Sequence, residues 1–287
     1  MHNKLQLIFI RIYFVIVSRL FPSLAVVSAH RFFHYPIKNK KTNPNEKALP
    51  EAKKFNIKLY NDVILQGYRW GNENHPIVFL VHGWSSTSKS MSHFTDILLK
   101  HNYQVISYDA IRHGESSGKL SDLASWADSV HAILDYAGEV ECIIAHSFGC
   151  AAVTVASKLG LHTKKLIFIA PIHNVDTILK RFGEQLYIPT YILERMKQYT
   201  WEYNQQRFET YGKDLEDIFH SKFHVPTLIF HDLEDKEVPI ENSKMLCQKW
   251  PWVILKKTQG LGHRRILYDE TVVNESHAFI RDTLKLD

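Results

Sequence analysis

From residue 76 onward, short continuous apolar runs alternate with segments whose apolar residues recur at helical spacing. The runs at 76–81 (Pro-Ile-Val-Phe-Leu-Val), 103–108, 140–145, 164–170, 225–231 and 252–257 suit strands buried on both faces. Helical segments at 88–101, 121–137, 148–159 and 240–249 lie between them, and a last helix begins near 266. This alternation predicts an α/β fold, with a mostly parallel central sheet and helices on both faces. Ahead of it, β-like stretches at 54–60 and 62–70 meet at Asn61-Asp62, a pair suited to a tight hairpin turn.

Two segments break the rhythm. Residues 174–222 hold helical signal and no strand-like run, so a helical lid inserted between strands is expected. Its Tyr187, Tyr191, Tyr199, Trp201 and Tyr203 either line an acyl pocket or pack the insert in place. The second segment is the N-terminus, where 5–17 and 20–29 are apolar pieces separated by Ser18 and Arg19. A membrane span needs about 20 apolar residues. Arg11 near its centre would cost about 2.5–3.5 kcal/mol on insertion scales. A secretory signal would use Lys4 before the run and Val27-Ser28-Ala29 as a small-residue cleavage site, with Arg11 again interrupting it. The third reading is an amphipathic helix at a lipid interface or docked on the protein itself. Residues 39–50, polar with two prolines, read as a linker. The expected divisions are 1–50, an apolar helix and linker; 51–173 and 223–287, two parts of a core; and 174–222, the lid.

Composition narrows the function classes. A chain of 287 residues can bury a core without disulfides or structural metals. The formal charge of +5 is concentrated in Lys38, Lys40, Lys41, Lys47, Lys53 and Lys54, just after the apolar N-terminus. That placement suits anionic lipid rather than a nucleic-acid face, so a membrane surface is an expected partner and nucleic acid is not. By the positive-inside rule the lysines hold the following domain on the cytoplasmic side. The expectation is a cytoplasmic, membrane-associated protein, with secretion left open. Cys142, Cys150 and Cys247 show no metal-ligand spacing and read as small buried hydrophobes. Neither metal nor cofactor is expected.

The chemistry centres on Ala145-His146-Ser147-Phe148-Gly149, between a strand and a helix. A serine hydroxyl needs an exposed position beside a base to attack at neutral pH. A sharp strand-to-helix turn provides that, given small residues two places either side. The helix N-terminus after it offers backbone N–H groups to a developing oxyanion. Gly83, in Val81-His82-Gly83-Trp84, lets another strand end approach, so that the Trp84 and Phe148 N–H groups form the expected oxyanion hole. His82 is read as bonding loop backbone. The loop 231–239 supplies Asp232, Glu234 and Asp235 as candidate acids at a strand's carboxyl end. Asp235 is preferred and Asp232 held in reserve. His263, in Gly260-Leu261-Gly262-His263, lies in a glycine-flanked loop after the last strand and is the candidate base.

These four motifs, in the order Ser…Asp…His, resemble the α/β-hydrolase superfamily, in its branch of serine esterases, thioesterases and lysophospholipase-like enzymes. The stretch Tyr108-Asp109-Ala110-Ile111-Arg112-His113-Gly114-Glu115-Ser116 is similar to a further loop of the family, with Ile111-Arg112 where Arg-Gly is usual. The resemblance implies that Asp109 and His113 are scaffolding. It also implies a small-molecule ester or thioester substrate, acyl or lipid-like, cleaved through an acyl-enzyme on Ser147. An acyltransferase and a catalytically silent hydrolase-fold binding protein stand as alternatives.

Overall fold

A computed structural model describes residues 2–36, 43–60, 62–119, 121–212, 225–250 and 252–282. Asn61 of the expected hairpin, residues 213–222 of the expected lid, and Lys38, Lys40 and Lys41 with the linker start lie outside them. The chain divides into two compact units, residues 36–173 with 219–287 and residues 1–35 with 174–218.

Eight strands form the sheet of the larger unit in the order β1-β2-β4-β3-β5-β6-β7-β8. β1 (Lys53–Lys58) and β2 (Ile64–Trp70) form an antiparallel hairpin, and β2 runs antiparallel to β4 (Gln104–Tyr108). β3 (Ile77–Val81), β5 (Val140–His146), β6 (Thr163–Ile169), β7 (Thr227–Asp232) and β8 (Val253–Thr258) continue from β4 in parallel. The inner strands are apolar on both faces, as the sequence runs suggested. The outer strands β1 and β8 are half-exposed, and their lysines discourage further strand pairing.

On one face Val78, Leu80, Ile144, Ile167 and Leu228 form a core with Phe94 and Leu98 of α3 (Ser92–Lys100) and with the last helix. Alternation turns Phe79, Ile143, Phe168 and Ile229 to the other face. They are also fully buried, so both faces are covered. The helices start where the chain supplies acceptors. A reciprocal capping box of Asp122 and Ser125 begins α4 (Leu123–Ala137). Lys165, buried in β6, donates to the Phe279, Ile280 and Asp282 carbonyls where the last helix ends. Cys142 and Cys150 are buried, and burial pushes both thiols up.

The smaller unit joins segments far apart in sequence. α1 (His2–Leu20) and α2 (Pro22–Phe33) supply Phe14, Val17, Ala25, Val26 and Ala29 to an apolar cluster. α6 (Val175–Leu186) and α7 (Thr190–Tyr203) supply Leu179, Leu186, Ile192, Leu193 and Met196 to the same cluster. The packing is close at Gly183, where a Cβ would lie 2.4 Å from Leu193 Cδ1 and 3.2 Å from the Ile188 carbonyl oxygen. Polar contacts reinforce the packing. Arg11 Nε donates to the Gln185 carbonyl at 2.9 Å, and the Tyr191 hydroxyl donates to the Ser18 carbonyl. Among the described residues, no helix is long and apolar enough to cross a membrane.

Candidate active site

β5 ends at His146 and α5 (Phe148–Ala156) begins at Phe148, leaving Ser147 alone on the turn at φ 54° and ψ −117°. That left-handed φ is strained for a residue with a side chain. The turn is held by Ser147 N–H donating to the Ile169 carbonyl at 2.9 Å and by Cys150 N–H donating to Ser147 O at 3.0 Å. Gly149 is obligatory, since a Cβ would sit 2.5 Å from the His82 carbonyl oxygen. Ala145, where glycine is usual, is fully buried, so its methyl is accommodated.

The three candidate residues meet in one relay. Ser147 Oγ lies 2.8 Å from His263 Nε2, and His263 Nδ1 lies 2.7 Å from Asp235 Oδ2. His263 sits in a one-turn helix, α9 (Gly262–Arg265), after α8 (Glu241–Lys249), rather than in the open loop expected. Gly260 and Gly262 take positive φ values of 80° and 65° and turn the chain into it. The imidazole is nearly buried.

The two aspartates at the end of β7 have separate tasks. Asp235 Oδ1 accepts the Glu237 and Val238 N–H groups at 2.7 and 2.8 Å, which aims Oδ2 at His263. Burial works to raise the Asp235 carboxyl. Hydrogen bonding from His231 and His263 outweighs it and holds the group well below the usual carboxylate range. An ionised Asp235 accepts a hydrogen bond from His263 Nδ1–H, which leaves the Nε2 lone pair facing the Ser147 hydroxyl. Asp232 instead accepts from Glu234 N–H, Thr258 Oγ1 and Leu261 N–H, bracing β7 to the end of β8. Glu234 is exposed.

The loop after β3 approaches the elbow from the other side. A Cβ on Gly83 would lie 2.7 Å from His146 Nδ1 and 3.1 Å from Ser147 Cβ. His82 donates from Nδ1 to the Gly83 carbonyl at 2.7 Å and accepts Ala110 N–H at Nε2, a backbone-bonding role. Asp109 accepts from Tyr68 Oη, Ser88 N–H and Glu115 N–H, and His113 accepts Ser85 N–H. Both therefore tie loops together. The Trp84 and Phe148 rings meet edge to face at 5.1 Å. Phe148 opens α5, so its N–H has no acceptor within the helix.

One participant was not picked out by sequence. His146 Nε2 donates to the His263 carbonyl at 2.9 Å and so fixes the backbone of the candidate base. Burial first, then neighbouring His263, keep this imidazole neutral, its pKa well below the ordinary value. The second position of the elbow motif accepts many residue types, so nothing in the pattern marked it. Among the described residues, no group of three or more His, Cys, Asp or Glu side chains is placed to hold a metal ion.

The family described as "Serine aminopeptidase, S33" matches residues 72–215, just over half of the chain. The chain belongs to this family of α/β hydrolases. A curated relative of this hydrolase is a bifunctional esterase/perhydrolase of Acinetobacter calcoaceticus, 30% identical over 83 residues, or 28% of the chain. The chain spans 30% of that relative's length. Solved structures similar to the hydrolase include an esterase of Pyrococcus furiosus, with TM-score 0.63 and 18% identity over 86% of this chain and 96% of that one. Another is mouse alpha/beta hydrolase domain-containing protein 10, with TM-score 0.60 and 18% identity over 80% and 97%. A third is Est1E of Butyrivibrio proteoclasticus with ferulic acid bound, with TM-score 0.57 and 19% identity over 77% and 94%. At these identities the likeness is one of fold.

Proposed function

We propose that this α/β hydrolase cleaves carboxylic esters or thioesters of acyl, lipid-like acids through an acyl-enzyme on Ser147. The observation that carries the reading is the continuous relay Ser147 Oγ–His263 Nε2 at 2.8 Å and His263 Nδ1–Asp235 Oδ2 at 2.7 Å. His263 takes the hydroxyl proton as Ser147 Oγ forms a bond to the substrate carbonyl carbon. The Trp84 and Phe148 N–H groups receive the charge on the tetrahedral oxygen. Donors fixed in advance lower such a barrier by about 2.7–4 kcal/mol each. His263 then gives the proton to the departing alcohol or thiol, and water, activated by the same imidazole, releases the acid. The esterase named among the relatives supports an ester substrate. The family description supports an amide, which is the competing reading.

A panel of p-nitrophenyl esters, acyl-CoA thioesters and aminoacyl p-nitroanilides separates these readings. The proposal expects turnover of esters or thioesters that Ser147→Ala abolishes, with p-nitroanilides cleaved much more slowly. Preferential cleavage of the p-nitroanilides would replace it with the amide reading. No turnover on any substrate, together with no fluorophosphonate adduct on Ser147, would leave a silent binding protein.

A further inference from the structure

α1 is apolar on both sides, and only one side is used. Leu7, Ile10, Phe14 and Val17 turn inward to the small unit's core. Leu5, Ile8, Phe9, Ile12, Ile16 and Leu20 recur every three to four residues along the opposite side and stay exposed, Phe9 at 68%. The strip continues past the helix break into exposed Phe21 and Leu24. Folded monomers rarely leave a contiguous apolar strip of this kind open to water. Beside it runs an open trough of about 370 Å³, lined by Ile8, Arg11, Ile12, Val15, Ile16 and Tyr187.

Charge selects the occupant. Residues 1–45 carry Lys4, Arg11, Arg19, Arg31, Lys38, Lys40 and Lys41, and no acidic residue. Arg11 is already positioned, its Nε on the Gln185 carbonyl and its guanidinium 4.5 Å over the Tyr187 ring, at the edge of the trough. Arg19 lies exposed in the last turn of the same helix. A second copy of the chain would set this cationic strip against itself, whereas an anionic surface with an apolar interior meets both of its properties. The helix ends at Leu20, and Pro22 opens the next. Its 19 residues reach roughly 28 Å and hold Arg11 near their centre.

We infer that α1 lies in the plane of an anionic phospholipid surface. Its outer side chains sink among the acyl chains, and the Arg11 and Arg19 guanidinium groups meet lipid phosphates. The inference is independent of the chemistry at Ser147.

The test is flotation of the full-length protein with vesicles of phosphatidylcholine, with or without phosphatidylserine, at low and high salt. Wild type should float with the phosphatidylserine vesicles and bind them more weakly at high salt. Arg19→Glu should bind about tenfold or more weakly, a loss of attraction plus a new repulsion. The triple variant Phe9→Ser/Ile12→Ser/Ile16→Ser should not float, while its circular dichroism stays that of wild type, because these side chains lie outside the cluster. Binding of the triple variant as tight as wild type would overturn the inference. So would equal binding to vesicles lacking phosphatidylserine, or a wild-type dimer without lipid that the triple substitution dissociates.

Discussion

Replacing Asp235 by asparagine separates the two aspartates at the end of β7 and tests the direction of the proton relay. The carboxylate accepts hydrogen bonds from Glu237 N–H, Val238 N–H and His263 Nδ1–H, with His231 Nε2 also 3.5 Å from its Oδ2. An asparagine carbonyl placed on the two backbone donors turns its NH2 group toward His263 Nδ1. Two donors would then face each other across 2.7 Å in a site where the side chain is fully buried. The imidazole escapes by moving its proton to Nε2, which leaves no lone pair for the Ser147 hydroxyl. The loss is that of a general base held in the wrong tautomer, about 10⁴-fold in kcat or roughly 5.5 kcal/mol of barrier. Asp232→Asn is the control, because that carboxylate bonds Glu234 N–H, Thr258 and Leu261 N–H and does not touch His263. It should cost about 1–3 kcal/mol of stability and less than tenfold in kcat. The assay is kcat on the best ester of the panel, with thermal unfolding of each variant measured alongside. Wild-type kcat in Asp235→Asn, or an equal collapse in both variants, would refute the reasoning.

Gly149→Ala should lower the melting temperature sharply and abolish activity, because its Cβ would meet the His82 carbonyl at 2.5 Å and Val81 O at 2.9 Å; the reading fails if thermal unfolding and kcat are unchanged. Acidification should weaken the fold in the window below pH ~6.5. Burial lowers the pKa of His82, and burial with His263 lowers that of His146, so each imidazole protonates more readily in the unfolded chain, and stability falls with pH. The slope reaches about 1.4 kcal/mol per pH unit for each histidine, and denaturant melts at stepped pH with His146→Gln as a comparison would show it. Lys165→Met should remove about 2–4 kcal/mol of stability by leaving the Phe279, Ile280 and Asp282 carbonyls without their ammonium donor, with kcat per folded molecule unchanged. Equal urea midpoints for Lys165→Met and wild type would show those bonds to be dispensable.

Much of the larger unit was legible in the sequence because its determinants are local. Strands such as 77–81 and 140–146 are covered on both faces, so their apolar runs are unbroken and short. Ser147 and His263 could be picked out because a strained turn and an imidazole that must reach it from a separate loop each demand particular neighbours. Asp235 could only be preferred over Asp232, since both follow the same strand and the choice depends on where each finds donors. The smaller unit was less legible. α1 is apolar all round, so its pattern does not reveal which side meets the insert 150 or more residues away. The helical turn at His263 has four residues, begins on Gly262 and follows Gly260, a pattern that reads equally well as loop. His146 acts through its ring nitrogen on a backbone carbonyl 117 residues distant, a contact that no local motif encodes.

The central claim is that Ser147 Oγ is a nucleophile made reactive by His263. Intact-mass and peptide mapping after treatment with a fluorophosphonate probe reads this directly. The account predicts one stoichiometric adduct on Ser147, formed by wild type, lost in Ser147→Ala and slowed by orders of magnitude in His263→Ala. An unlabelled Ser147, or labelling at the same rate without the imidazole, would contradict it.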